Sequence, residues 1–216
     1  MSHYFKYPRT PHLPWSQSVN FDDLIGFGTT QFRDKEVVIS EKMDGENTSL
    51  YRDKMHARSL DSRHHASRNW VKAWHANFSR DIPEGWRICG ENMYAQHSVA
   101  YDNLKSYFYG FSIWDENNTC LSWDATLEWF SLLGILSPPI LFRGVWNEKE
   151  VRKLTIDPDK MEGYVVRLAD AFSFEDFSHS VAKWVRKNHV QTNEHWMHIE
   201  IIPNRLAKKE GGNEDE

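Results

Sequence analysis

Apolar residues in this 216-residue chain fall mostly into short β-type runs separated by polar turns, with few stretches at helical spacing. Val37–Ser40 and Thr48–Tyr51 are rich in β-branched residues and flank a polar turn at Asp44-Gly45, which predicts two strands around that turn. Trp86–Gly90, Tyr107–Trp114, Glu162–Leu168 and Val181–Val185 predict further strands. Asp115-Glu116-Asn117-Asn118, between Trp114 and Trp123, predicts a hairpin. Asn69–Phe78 places Trp70, Ala73, Trp74 and Asn77 on one side at helical spacing. Asp124 is placed to cap a helix through Leu133 that Pro138-Pro139 cannot continue, and Asn147 to cap Glu148–Leu154. Phe21–Ile25 suggests a short helix ended by Gly26 and Gly28, while Pro8, Pro11 and Pro14 make the first twenty residues an extended lead-in. With no repeat and no linker, the pattern is one α+β domain with a strand-heavy centre over residues 1–206. The Gly-Gly and Asn-Glu-Asp-Glu of residues 207–216 read as a disordered acidic tail.

Composition narrows the class. Hydrophobic residues at 40% and charged residues at 26% describe a globular chain and exclude a collagen-like or disulfide-built one. The longest apolar run, near Leu132–Leu136, is broken by Gly134, so no segment is expected to span a membrane, and Met1-Ser2-His3-Tyr4 lacks the apolar stretch of a secretory signal. Cys89 and Cys120 suit a reducing compartment, which points to the cytoplasm, including that of a phage-infected host. Ten Trp accompany a net charge of −5, a balance that gives no global attraction to nucleic acid. Most of the Trp are expected in the core, with Trp15 and Trp196 as candidate stacking platforms.

The chemistry concentrates at Glu41-Lys42-Met43-Asp44-Gly45-Glu46-Asn47. A lysine projecting from a strand end is a useful nucleophile only if burial or neighbouring cations lower its pKa. Gly45 would let a phosphate or sugar approach the backbone, and Asp44 and Asn47 offer polar handles. Asp-Gly is also a common hairpin signal, so a solvated surface turn stays open on these residues alone. Downstream, Arg58, Glu91, Glu162, Lys183, Arg186 and Lys187 each sit beside a predicted strand. Together they suit attack on a nucleotide α-phosphate, with cations neutralising charge and carboxylates holding a divalent metal. The loop Arg63-His64-His65-Ala66-Ser67-Arg68, and His179 and His189 around Lys183, are candidate nucleic-acid contacts or solvated faces. Eleven His, notably His64-His65 and His195 and His198, invite a zinc reading, but no paired cysteines accompany them.

In this order the residues resemble the covalent nucleotidyltransferase superfamily of DNA ligases, RNA ligases and mRNA capping enzymes. Glu41-Lys42-Met43-Asp44-Gly45-Glu46-Asn47 resembles its motif I, with Lys42 at the AMP-accepting lysine. Arg58 is similar to the arginine that follows it. Gly90-Glu91 resembles motif III, where Glu91 would meet the ribose, and Tyr109-Gly110-Phe111 resembles motif IIIa, where Phe111 would stack on adenine. Glu162-Gly163-Tyr164-Val165-Val166-Arg167 resembles motif IV, with Glu162 serving the metal, and Lys183 resembles motif V. The likeness runs from about Val37 to His189 and is nearest the RNA ligase 2 group, which includes the editing ligases. Two departures stand out. Ser112 follows Phe111 where that group has Asp, and Val185 stands where it has a second lysine, leaving Arg186 or Lys187 as replacements.

The resemblance implies an ATP-grasp-like ligase adenylation domain, antiparallel sheets flanked by helices with no OB-fold. It implies an ATP-dependent RNA ligase using Mg2+ or Mn2+: AMP goes onto Lys42, then to a 5′-phosphate, and a 3′-hydroxyl displaces it. Glu41, Asp44, Asn47, Arg58, Glu91, Phe111, Lys183, Arg186 and Lys187 would bind the nucleotide, and Arg63, Arg68 and His189 the nucleic acid. The expected partners are nucleic-acid ends, RNA ahead of DNA, with substrate recognition from this domain or from a partner protein. The alternatives are a minimal DNA ligase, or a non-catalytic nucleotide-binding module of a repair assembly.

Overall fold

The computed structural model describes residues 4–18, 28–187 and 201–208. The helix expected at Phe21–Ile25, the candidates His189, Trp196, His195 and His198, and most of the acidic tail lie outside the described residues.

Two antiparallel sheets form the molecule. Four strands, β1 (Glu36–Lys42), β7 (Ile140–Val145), β8 (Gly163–Leu168) and β10 (Val181–Val185), make one sheet in the order β10-β8-β1-β7. The other has the order β3-β2-β4-β5-β6-β9. Its strands are β2 (Glu46–Tyr51), β3 (Met55–Ala57), β4 (Arg87–Asn92), β5 (Phe108–Trp114), β6 (Thr119–Cys120) and β9 (Phe172–Ser173). The α+β expectation holds. The strands on either side of Asp44-Gly45 do not form a hairpin: β1 belongs to one sheet and β2 to the other. The lysine-bearing turn is therefore the crossing between sheets.

Helix α1 (Asn69–His75) buries Val71 and His75 and leaves Trp70 and Trp74 half-buried and stacked 5.6 Å apart. Helix α2 (Trp123–Leu133) starts one residue before Asp124. Ser122 is the cap, its hydroxyl accepting from the Ala125 N–H, and Gly134 (φ 67°) ends the helix well before the prolines. Asn147 caps the short α3 (Glu148–Val151) as expected, and one further turn, α4 (Phe177–Ser180), leads into β10. No helix among the described residues is long and apolar enough to cross a membrane.

The N-terminal segment is extended, as the prolines require, and it is pinned along β10. The Leu13 N–H donates to the Lys183 carbonyl at 2.8 Å, and the Lys183 N–H to the Pro11 carbonyl at 2.8 Å. Trp15 is half-buried against Trp146, with the Arg152 guanidinium 3.9 Å above its ring. Trp114 and Trp123 are core residues.

Candidate active site

Strand alternation aims the site residues. The register sets Ser40 opposite Val165 and Lys42 opposite Gly163, and on the next strand Lys183 opposite Val165 and Val181 opposite Arg167. Ser40, Lys42, Val165, Arg167, Val181 and Lys183 thus share one face of the first sheet. On the second sheet, Asn47 pairs with Glu91. A register shift there pairs Cys89 with Ser112 but Gly90 with Gly110, which leaves Phe111 as the extra residue of a bulge. Its ring is turned into the space between the sheets. All nine of these side chains, Phe111 included, line a cavity of about 230 Å³, together with Glu41 and Arg58.

Three glycines permit the close packing beneath. A Cβ on Gly90 would stand 2.3 Å from the Phe108 ring, and one on Gly163 2.0 Å from the Trp184 carbonyl oxygen. A Cβ on Gly45 would meet the Asn92 carbonyl oxygen at 2.5 Å. At Gly45, the approach that demands glycine is therefore that of β4's own backbone.

Lys42 ion-pairs with Glu162, which is 2% exposed. Burial pulls the Lys42 pKa down, but the Glu162, Glu91 and Asp44 carboxylates outweigh it, and the net shift is upward. This differs from the lowered pKa expected of a nucleophile: the charges that act on the amine most strongly are carboxylates, so the resting group is an ammonium ion. Burial pushes the Glu91 carboxyl up to about 8, against the pull of Lys42, and the Glu41 carboxyl up to about 7.

The remaining candidates divide. Asp44 is buried away from the cavity, its carboxylate accepting from the Ser98 hydroxyl at 2.6 Å and the Val99 N–H at 2.8 Å. Arg186 and Lys187 lie past the end of β10 and do not line the cavity; the Arg186 N–H donates to the Glu162 carbonyl, and the Lys187 N–H to the Gln17 side chain. Arg63 is exposed in its loop. Arg68 is not: its guanidinium grips the Glu46 carboxylate with two N–H groups and donates to the Arg63 carbonyl. A carboxylate nearby in the fold captured the cation that loop polarity alone assigned to nucleic acid.

Other residues complete the site whose placement there the sequence did not give. Arg167, 6% exposed, lines the cavity while donating to the Leu121 carbonyl at 2.7 Å and the Leu168 carbonyl at 3.0 Å. It places a fixed cation in the cavity wall that Arg186 and Lys187 do not reach. Tyr7, from the proline-rich segment, packs edge-on to Phe111 at 5.3 Å. Ser112 accepts from the Trp114 indole N–H at 3.1 Å, a neutral contact for its hydroxyl.

A metal can be tested against this donor set. The Glu162 carboxylate beside the Lys42 ammonium is a hard oxygen donor that suits a divalent cation such as magnesium or manganese. Among the described residues no three His, Cys, Asp or Glu surround one point. Such a cation would take one or two protein ligands, Glu162 foremost, and complete its shell from phosphate and water.

Comparison with known proteins bears on the fold and the family. No curated protein sequence matched the chain. Among solved structures, it is similar to an archaeal ATP-dependent RNA ligase (TM-score 0.55, 14% identity, covering 83% of this chain and 48% of that one). It is also similar to a Naegleria gruberi RNA ligase with PPi (TM-score 0.54, 18% identity, 72% of this chain and 50% of that one) and to a variant of that ligase with ATP and Mn (TM-score 0.51, 15% identity, 83% and 59%). The chain spans about half the length of the first two, and at these identities the likeness is one of fold. The RNA ligase family itself matches residues 35–185, the stretch from the start of β1 to the end of β10. The chain belongs to the RNA ligase family.

Proposed function

We propose that the protein is an ATP-dependent RNA ligase that carries AMP on Lys42. The observation that carries this reading is the placement of Lys42. It ends β1 at the crossing between the sheets, lines the cavity, and is held against Glu162. Family membership and the likeness to an archaeal ATP-dependent RNA ligase support it.

In this reading the Phe111 ring stacks on adenine, Glu91 and Asn47 meet the ribose, and Lys183, Arg58 and Arg167 face the phosphates. The Asn47 side-chain carbonyl oxygen is buried without a hydrogen-bond partner among the described residues, which leaves it an acceptor for a sugar hydroxyl. Lys42 Nζ, whose side chain is partly open to solvent, gives its proton to water, attacks the α-phosphorus in line and displaces pyrophosphate, giving a phosphoramidate. AMP passes from Lys42 to a 5′-phosphate end, and a 3′-hydroxyl attacks that end, forming the phosphodiester and releasing AMP. Each step needs positioning and charge neutralisation more than acid–base power. A divalent cation held by Glu162 would offset the carboxylate field that keeps Lys42 protonated and polarise the phosphate. Arg63, exposed in its loop, is assigned to phosphates of the nucleic acid.

The test is joining of a 5′-phosphate RNA end to a 3′-hydroxyl end in the presence of ATP and magnesium, on nicked duplex and on single strands, with DNA as the comparison. Sealing of RNA that Lys42→Ala abolishes is the expected result. Sealing by the variant, or faster sealing of all-DNA nicks, refutes the assignment.

A further inference from the structure

The turn that follows Lys42 is tied to one tyrosine outside every motif. The Asp44 N–H donates to the Tyr101 hydroxyl oxygen at 3.2 Å. The same connection between β4 and β5 supplies the Ser98 hydroxyl and Val99 N–H that hold the Asp44 carboxylate, so the backbone and the side chain of Asp44 rest on one scaffold. Beneath it Met43 is buried with Met93, Leu104 and Tyr109, and the Tyr101 ring packs against that cluster.

The scaffold is fastened from the far end of the chain. Asn204, 3% exposed, accepts from the Tyr101 N–H at 2.9 Å through its side-chain oxygen and donates to the Met93 carbonyl at 2.8 Å. The Arg205 N–H donates to the Tyr101 carbonyl at 2.9 Å, so Tyr101 is gripped on both its backbone groups by residues about a hundred positions away. The segment 201–208 thus reaches the lysine turn through one intermediary.

We propose that Tyr101 is a positioning residue for Lys42, acting through Asp44, and that Asn204 locks it in place. The inference rests on the reading of Lys42 as the AMP acceptor. Tyr101 touches neither nucleotide nor the reacting atoms; it fixes the backbone of the turn that follows Lys42. In-line attack is sensitive to small displacements of the nucleophile, so the loss belongs in turnover and not in ATP binding.

The experiment is single-turnover formation of the protein–AMP adduct against ATP concentration, in wild type, Tyr101→Phe, Asn204→Ala and the double variant, with melting temperatures alongside. Tyr101→Phe keeps the ring and deletes the hydroxyl. It is expected to slow the maximal rate about tenfold, the size of one lost hydrogen bond expressed in the transition state, with half-saturating ATP within about twofold. Asn204→Ala is expected to slow the same step, and the double variant to lose no more than the worse single, since both act through one contact. An unchanged rate in Tyr101→Phe overturns the inference. So does a rise in half-saturating ATP at constant rate, or a loss that tracks a fall in melting temperature and disappears on assay in the cold. If wild type forms no adduct, the function proposed above fails and this inference with it. An adduct formed equally fast by wild type and Tyr101→Phe removes this inference alone.

Discussion

Arg68→Ala separates a structural cation from a substrate-binding one. The Arg68 and Glu46 side chains are 6% and 10% exposed, and the contact is two-pronged, with a third guanidinium N–H on the Arg63 carbonyl. Removing the arginine leaves a carboxylate buried at the start of β2, beside Asn47. Breaking one partner of a buried pair costs about 3–5 kcal/mol. At about 2–4 °C per kcal/mol for a chain of this size, the melting temperature should fall by roughly 6–20 °C. Equilibrium denaturation of wild type, Arg68→Ala, Glu46→Gln and the double variant forms a cycle. The double variant should lose less than the sum of the singles, because the neutral amide introduced by Glu46→Gln leaves no buried charge behind. The reasoning is refuted if Arg68→Ala costs under about 1 kcal/mol while RNA affinity drops, for the guanidinium would then be serving phosphates.

Other perturbations follow from single contacts. Gly163→Ala drives a Cβ into the Trp184 backbone where β8 meets β10, next to Glu162. A cost of about 1–3 kcal/mol is expected in thermal melts, with loss of AMP uptake, and a wild-type melt would refute the packing argument. Phe111→Ala should weaken ATP binding by about 1–3 kcal/mol, read as half-saturating ATP; an unchanged value removes the stacking role. His56 and His75 are buried with their pKa values lowered below 6.5 by burial. The unfolded chain takes up their protons more readily, so their contribution to stability is intact above pH 6.5 and is lost as pH falls below it. Denaturation between about pH 7 and about pH 5.5 should show a shallower acid loss in His75→Gln than in wild type, and equal slopes would contradict the assignment.

The β-rich centre was legible because β-branched and aromatic residues cluster in β1, β5, β8 and β10, and the site lysine stood out because it lies between two β-type runs. β7 went unread because as an edge strand it leaves Ile140 and Val145 exposed and lacks a one-sided pattern. That β1 and β2 part into different sheets is a long-range fact with no local signature. So is the role of Tyr7, since prolines announce an extended chain but not the surface it lies on. Arg68 shows the same limit from the other side: a cationic loop reads as an RNA contact until Glu46, 22 positions earlier, is seen to claim it. Arg167 was visible as a motif residue, yet only the fold reveals that it is buried on backbone carbonyls and faces the cavity.

The central claim is that Lys42 carries AMP. Intact-mass measurement of the purified protein after incubation with ATP and magnesium tests it most directly, followed by peptide mapping of the adduct. The account predicts a gain of one AMP on Lys42, released by pyrophosphate and absent from Lys42→Ala. No gain in mass, or an adduct mapped to any other residue, would contradict it.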